Sequence, residues 1–514
     1  MRKAIQLFIE DEQAQLEKEE ALLPVITKNY NKSLACFQRI VPPIYKILKN
    51  HTFQHNSVFV NKDGEVDIVE SSSGTVFYGS TVSESISSHV GLFLANPQHL
   101  QLRTLESNSI GNPSRSNEQA LVVFGVGLGQ HLLELLDTTD TKHIVVYEPD
   151  MDYLVCSLYA GVWPDIFDTA KRNNVSLYLQ IPNNGKSLFS DLNELHSAFG
   201  ISSSLVYFHY HCSEFDDIRE ELASNNWSLS RDLRSSVKNP RFENYVPKWT
   251  PVVRSSSWSS DNLDRTTFER NLEAFKKYFP EIADEFAEYT PQHWQVVANA
   301  AGEVNLLNIK HQSYLLGDNA KRESENIYKM FKDNPSRDEL ILNYTGGKLY
   351  PHFHYRTVVR IQNEVKKYTT DSTVLNHDIK SLLLFGIGNG YQLQCLLDAH
   401  QVGKLFVYEP NRDFFYSSLY SIDWTALLEK MDASEGSIYL NIGDDGSNLV
   451  RDFLTQFDRV GSYNLANMFL FKSYDNDVLE PTLNSLREEI RLVIGLSDNF
   501  ENSRYIVSHS KWSV

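Results

Sequence analysis

Apolar residues along this chain fall into short runs that alternate with stretches of helical periodicity. The runs that predict buried strands are ALVVF (120–124), HIVVY (143–147), VSLYLQI (175–181), SLLLF (381–385), KLFVY (404–408) and GSIYLNI (436–442). Between them, QHLLELLD (130–137) and YQLQCLLD (391–398) predict helices. Strands that are apolar on both faces and alternate with helices predict a parallel sheet covered on each side.

The chain contains two copies of one sequence unit. NKDGEV (61–66) returns as NAAGEV (299–304), an offset of 238 residues, at which Phe37 also meets Phe275. From Leu121 onward the offset is 261 residues, and it aligns LVVFGVGLGQHL (121–132) with LLLFGIGNGYQL (382–393). The increase of 23 residues predicts an insertion in the second copy between Lys332 and Lys380.

Each copy gives the same coarse order of elements. An amphipathic helix is followed by a proline break, a Gly-Glu-Val segment that predicts a hairpin, and the alternating β/α part. The predicted fold class is therefore α/β, with two tandem Rossmann-like units, each a parallel sheet preceded by a helical and β-hairpin segment. The predicted domains are residues 1–250 and 251–514, joined by a serine- and proline-containing hinge at 246–262.

The amino-acid composition and net charge argue against several classes of protein. A hydrophobic content of 41% and a charged content of 22% are typical of a soluble globular protein. The net charge of −18 argues against nucleic acid as a partner. The four cysteines have no CxxC spacing and no apolar run is long enough to span a membrane, so we expect a cytoplasmic protein without a disulfide framework.

Two glycine turns carry the candidate chemistry. Gly125, Gly127 and Gly129 form one G-x-G-x-G turn, and Gly386, Gly388 and Gly390 form the other. Glycines allow a ligand to approach the backbone, and the helix that follows presents free N–H groups. Glu148 and Glu409 stand 23 residues after each first glycine, where an acid can accept the hydroxyls of a ribose. These residues predict a nucleotide site in at least one copy.

The same spacing has two other interpretations. G-x-G-x-G resembles the turn of S-adenosylmethionine-dependent methyltransferases, and Asp444 stands where such enzymes place an acid against adenine. Asn183 replaces it in the first copy, and Val123 and Leu384 occupy the position where those enzymes carry an acid before the first glycine. In the other interpretation both turns are empty, and the glycines serve only to pack helix on strand.

The second copy resembles the N-terminal domain of the motility accessory factor (Maf) family of flagellin glycosyltransferases. The resemblance rests on NLEAFKKYFPEI (271–282), N-x-x-G-E-V (299–304), LLLFGIGNGYQL (382–393) and LFVYEPN (405–411). The first copy looks like a diverged version, with Gln130 in place of Tyr391. The resemblance implies a bacterial protein that meets flagellin in the cytoplasm. It also implies transfer of a nonulosonic acid from its CMP-activated form to serine or threonine.

One feature of that family is missing. Its central transferase domain carries a Gly-Pro-Ser turn after a strand, and this chain has only NPSRS (112–116) and NPSRD (334–338) in polar loops. The sequence therefore names no catalytic residue. The chain is expected to be either a fragment of a longer enzyme or a two-unit relative that binds or assists.

Two His-x-His pairs are the remaining candidates for chemistry. His209 and His211 share one side of a predicted strand, as do His352 and His354. No third or fourth ligand follows from spacing, and the pairs do not correspond under the repeat, so structural histidines are expected and no metal site is predicted. Three hypotheses remain: a Maf-type recognition or nucleotide-sugar-binding chain, a methyltransferase, and a non-catalytic flagellin-binding module.

Overall fold

The computed structural model describes most of both repeats. The ranges are 12–61, 63–70, 76–79, 81–101, 119–201, 203–224, 246–250, 258–333, 375–444 and 468–474, with 335, 448, 451–452, 455–456 and 485. The chain divides into two compact units, one formed by 1–237 and 248–252, the other by 238–247 and 253–514. The predicted domain boundary at residue 250 adjoins 251–257, which lie outside the described residues.

The first unit begins with helices and a hairpin and continues as an alternating β/α sheet. Its helices are α1 (Glu12–Ile40), α2 (Pro42–Asn50), α3 (Val82–Ala95), α4 (Gln130–Thr138), α5 (Met151–Ala160), α6 (Trp163–Arg172), α7 (Leu188–Phe199) and α8 (Ser213–Ser224). Its strands are β1 (Asn56–Val60), β2 (Val66–Glu70), β3 (Gln98–Gln101), β4 (Ala120–Phe124), β5 (His143–Tyr147), β6 (Ser176–Gln180) and β7 (Ser203–Phe208).

The second unit repeats that order. Its helices are α9 (Arg265–Tyr278), α10 (Pro280–Ala287), α11 (Ala320–Asp333), α12 (Tyr391–Ala399), α13 (Arg412–Ser421) and α14 (Trp424–Ala433), after a 3-10 turn (Ser260–Asn262). Its strands are β8 (Trp294–Ala298), β9 (Val304–Asn308), β10 (Asp378–Phe385), β11 (Gln401–Glu409), β12 (Ser437–Ile442) and β13 (Met468–Lys472).

Both main sheets have one strand order. In the first unit it is β3-β7-β4-β5-β6, parallel except for the antiparallel edge strand β3. In the second unit, taken in the same direction, the order is β13-β10-β11-β12, and all of these strands are parallel. It corresponds to β7-β4-β5-β6 of the first unit. The chain steps outward from the strand before each glycine turn and then returns to its other side, which leaves a crevice at the carboxyl ends of the strands. The predicted α/β, Rossmann-like fold class is confirmed.

The central strands owe their apolar sequences to burial on both faces. Ala120, Val122 and Phe124 of β4 belong to one core cluster, and Leu121 and Val123 belong to the other, all of them fully buried. Because neighbouring strand residues point to opposite faces, this division shows that helices cover the sheet on both sides.

The helical segment and the hairpin also form as the sequence predicts. Pro42 and Pro280 each occupy the first turn of a second helix, where a missing N–H costs no hydrogen bond. The hairpins pair β1 with β2 and β8 with β9, antiparallel. Most of the predicted insertion, 334 and 336–374, lies outside the described residues. Within the described ranges, no helix is both long and apolar enough to cross a bilayer.

One carboxylate in each unit ties the hairpin to the sheet. Asp152 accepts the backbone N–H groups of Gln54, His55 and Asn56 at 2.7–3.2 Å, and its other oxygen lies 2.6 Å from the ring of His51. The residues that follow the same offsets make the same anchor in the second unit. There Asp413 accepts the N–H groups of Gln292, His293 and Trp294 and the hydroxyl of Tyr289. We call each of these sets a hairpin anchor.

Candidate functional site

All six predicted glycines lie in the two turns that join the first parallel strand of each main sheet to its helix. Gly125, Gly127 and Gly129 connect β4 to α4, and Gly386, Gly388 and Gly390 connect β10 to α12. Each has a positive φ, and the third glycine of each turn is the left-handed cap at which the helix begins. The turns therefore have the backbone shape that the G-x-G-x-G pattern predicts.

Glu148 leaves the end of β5 and enters the turn of its own unit. Its Oε2 accepts the N–H of Val126 at 2.7 Å, and its Oε1 accepts the N–H of Asp150 at 2.9 Å and the hydroxyl of Tyr210 at 2.7 Å. The residue is fully buried. Both carboxylate oxygens thus bond within the protein.

Glu409 makes the same arrangement in the second unit. Its Oε2 accepts the N–H groups of Ile387 and Gly388, and its Oε1 accepts the N–H of Asn411 at 2.9 Å and the hydroxyl of Tyr474 at 2.8 Å. We call each glutamate with its tyrosine and loop donors the glutamate lock. In both units the lock uses the N–H after the first glycine, one of the donors expected to face a phosphate.

The tyrosine of each lock also explains the first glycine. An added Cβ at Gly125 would lie 2.5 Å from the ring of Tyr210, and one at Gly386 would overlap the ring of Tyr474. Contacts this short are far inside van der Waals distance, so only glycine fits above either ring. The space that a ligand would need beside the first glycine is occupied by the protein's own tyrosine.

The second glycine is where the two units differ. A Cβ at Gly127 would meet the hydroxyl of Tyr78 and, at 2.9 Å, Nε2 of His209. Tyr78 also accepts the N–H of Leu128 at 3.3 Å, so the turn of the first unit is closed over its middle. At Gly388 the contact among the described residues is Nε2 of Gln392 at 3.1 Å. The second glycine of the second unit therefore has fewer side chains packed against it among the described residues, although both glycines are buried.

Burial raises the pKa of the glutamate in each lock. Loss of water raises the pKa of Glu148 to about 8 and that of Glu409 to about 7, against the opposing effect of the N–H and O–H donors. The cost of burying a carboxylate is offset only while those donors stay in place. The geometry is therefore that of a structural lock, and a ribose could reach either carboxylate only if the tyrosine moved away.

Comparison with known proteins places the chain in a family. The family described as the glycosyltransferase Maf N-terminal domain matches residues 29–117, 104–228 and 267–495, which together cover most of the chain. The chain belongs to the Maf N-terminal domain family. Among curated proteins, none matches this sequence.

A solved structure also matches the Maf chain. It is described as the structure of MAf glycosyltransferase from Magnetospirillum magneticum AMB-1, with 20% sequence identity and a TM-score of 0.35. The match covers 45% of this chain and spans 35% of the length of that chain.

In this Maf chain, Asp444 and its counterpart Asn183 lie past the ends of β12 and β6. Asn183 accepts the N–H of Gly185 at 2.9 Å and bonds Ser187, so it shapes its own loop. Asp444 is partly exposed, beside Gly443, whose N–H donates to the carbonyl oxygen of Glu409. The acid predicted to face a nucleobase is thus close in sequence to the lock, and its role stays a prediction.

The two histidines of the first His-x-His pair are buried and contact side chains of their own unit. His209 stacks on His131 with ring centroids 3.6 Å apart and lies 2.7 Å from the hydroxyl of Tyr78. His211 lies 3.0 Å from Asp216. Burial lowers the pKa of His131 to about 3 and that of His209 well below its usual range, so both rings are neutral. His352 and His354 lie outside the described residues.

Sequence reasoning missed the lock tyrosines, although a signal for them exists in this Maf chain. Tyr210 and Tyr474 each stand two residues past the last strand of their sheet, and the glutamate each one contacts is 62 or 65 residues away. The predicted strand that carries His209 and His211 is wrong at these residues, because β7 ends at Phe208, and β13 was not predicted. The two tyrosines were therefore not recognised as loop residues that follow a strand. Aligning the two units from those strands would have paired them.

Proposed function

We propose that this chain acts in Maf-type flagellin glycosylation as a recognition module that binds unmodified flagellin, without taking a nucleotide into its glycine turns. Family membership supports the pathway. The observation that carries the molecular role is the glutamate lock, because Glu148 and Glu409 have both oxygens bonded within the protein. A module built this way contributes binding surface, and the transfer of sugar falls to chemistry elsewhere.

Isothermal titration against purified, unmodified flagellin tests this role. We expect heat with flagellin and none with CMP, a CMP-activated nonulosonic acid or S-adenosylmethionine. Flagellin that gives no heat, and is not retained by the immobilised chain, would contradict the proposal. Glycosylated flagellin serves as the matched ligand, since a module that meets its partner before transfer should prefer the unmodified form.

Nucleotide binding in the second unit is the second candidate. It is favoured there by the second glycine of the turn, because a Cβ at Gly388 would meet only Gln392 among the described residues. If CMP or S-adenosylmethionine gives heat, Asp444→Asn should weaken that binding without touching the lock, whereas Asn183→Asp in the first unit should leave it unchanged. Binding that survives Asp444→Asn would remove the nucleobase role of Asp444.

A further inference from the structure

A cleft lies in the first unit beside the lock, at the carboxyl ends of β5 and β7. Its volume is about 450 Å³, within the roughly 300–1,000 Å³ of small-molecule sites. The lining residues that carry the inference are Asp150, Tyr153, Cys212, Glu214 and Lys248, with Tyr210 of the lock between them. In open α/β sheets ligands bind at this edge of the sheet.

Tyr153 lines this cleft with a ring that is largely buried. The residue is 3% exposed, and its ring packs against Tyr210 with centroids 5.1 Å apart. Among the described residues no hydrogen bond to its hydroxyl is present. A ligand in the cleft can therefore bond this hydroxyl without displacing a hydrogen bond of the protein.

The second unit shows that the fold needs neither this hydroxyl nor the charge of Asp150. At the repeat offset, Phe414 replaces Tyr153 and packs against Tyr474 with centroids 5.4 Å apart. Asn411 replaces Asp150 and caps its helix equally well, since Oδ1 accepts the N–H of Asp413 at 2.9 Å.

In the first unit Oδ1 of Asp150 accepts the corresponding bond from the N–H of Asp152 at 2.8 Å, and its Oδ2 accepts a bond from Nδ2 of Asn56 at 3.0 Å. The cap therefore needs an oxygen at this position, and the ring packing needs only an aromatic ring. The carboxylate charge and the hydroxyl are additions that the first unit alone carries, and their common position is the cleft.

The charges around the cleft select the kind of ligand. Burial raises the pKa of Asp150, against the lowering effect of the Asp152 N–H that bonds it and of the nearby Lys248. Glu214 places a second acid on the wall, while the ammonium group of Lys248 is bonded to Glu70 at 3.1 Å. An anion would meet net repulsion, whereas a group that donates hydrogen bonds would find acceptors.

We propose that this cleft binds a small uncharged or positively charged molecule whose hydroxyl or amino groups donate to Asp150 and bond the hydroxyl of Tyr153. Nucleotides and other anions are excluded. The proposal is separate from the flagellin-binding role, since it concerns a small ligand and one unit only.

Ligand-observed NMR on the full chain tests it, with a panel of neutral sugars (glucose, galactose, N-acetylglucosamine) and amines (ethanolamine, putrescine). CMP and N-acetylneuraminate are the anionic controls. We expect binding of at least one neutral or cationic probe and none of the anions. Absence of binding by every sugar and amine, or binding of an anion at this cleft, would overturn the proposal.

Variants taken from the second unit locate the site. Asp150→Asn and Tyr153→Phe should each weaken the bound probe about ten- to hundred-fold, the loss expected for a hydrogen bond to a charged or buried group. Both should keep the melting temperature nearly unchanged, because the second unit folds with Asn411 and Phe414. Asn411→Asp and Phe414→Tyr are the matched controls and should leave binding unaltered. Binding that survives both first-unit variants would place the probe elsewhere.

Discussion

The two glycine turns have the same lock and different closures. In each unit a glutamate from the second strand bonds the turn and a tyrosine that follows the last strand. Over the middle glycine, however, the first unit places Tyr78 and His209, and the second places Gln392. Leu316 stands at the offset of Tyr78, and the second unit has no stacked histidine pair there among its described residues.

The comparison indicates that the fold requires the glutamate lock, which both units keep, and tolerates changes in the residues that close the turn. The lock satisfies buried N–H groups and a buried carboxylate together, so losing one member leaves others unpaired. The closing residues fill space above a turn that is already hydrogen-bonded, and they have diverged. The following predictions use each unit as the control for the other.

The largest effect is expected from removing the lock glutamate. Glu409→Ala leaves four buried donors without their acceptor and should lower the free energy of unfolding by on the order of 4 kcal/mol. Glu148→Ala should do nearly the same in the first unit. Urea unfolding followed by tryptophan fluorescence measures both. Exposed Glu429→Ala and Glu194→Ala are the controls, and a loss below about 1 kcal/mol in the lock variants would show that the lock is dispensable.

Removing a hairpin anchor should cost slightly less. Asp413→Ala frees three backbone N–H groups and the hydroxyl of Tyr289, and we expect a loss of about 3 kcal/mol. Asp152→Ala should match it. Hydrogen exchange gives the local evidence, because the amides of Gln292, His293 and Trp294 should lose protection before the rest of the sheet. Uniform protection in the variant would contradict the anchoring role.

The lock tyrosines should contribute about equally in the two units. Tyr474→Phe and Tyr210→Phe keep the ring beside the first glycine and remove only the hydroxyl, so each should lower the free energy of unfolding by about 2 kcal/mol. Calorimetry of the two variants compares them directly. If one unit lost this amount and the other lost none, the two locks would differ in strength despite their common geometry.

The smallest effect near neutral pH is the pH dependence that His131 contributes in the first unit. His131 has a folded pKa of about 3 and an unfolded value near 6.5, so its neutral ring stabilises the fold above pH 6.5. That stability is lost by about 1.4 kcal/mol per pH unit as the pH falls below 6.5. His131→Gln, which installs the residue of the second unit, should remove the part of the loss that is due to His131. The part due to His89 and His209, whose pKa values burial also lowers, should remain. Equal pH profiles for the variant and the unaltered chain would show that His131 does not titrate with unfolding.

Periodicity predicted β4 and β5 to the residue, because full burial makes their sequences continuously apolar. It predicted β6 and β12 within one residue at each end, whereas β10 and β11 each begin three residues earlier than predicted. The repeat predicted the fold of the second unit from that of the first. Glu148 and Glu409 were predicted at the correct strand ends. Their partners were not predicted, since a tyrosine hydroxyl 62 residues away leaves no local pattern.

The closure of the first turn was equally hidden. Tyr78 and His209 are 131 residues apart, and only the folded sheet brings their side chains together over Gly127. The sequence pattern is the same whether a glycine makes room for a ligand or for a tyrosine ring. The pattern therefore predicted the turn and could not say what fills it.

Each hairpin anchor can form only some time after its hairpin has been translated, because the aspartate comes much later in the chain. Gln54, His55 and Asn56 bond a carboxylate that lies 96 to 98 residues farther along, and in the second unit the separation is 119 to 121. At the ribosome's pace of about 5–20 residues per second, each nascent hairpin waits roughly 5–20 s or longer for its aspartate to emerge. The second wait is longer because the inserted stretch must be translated first.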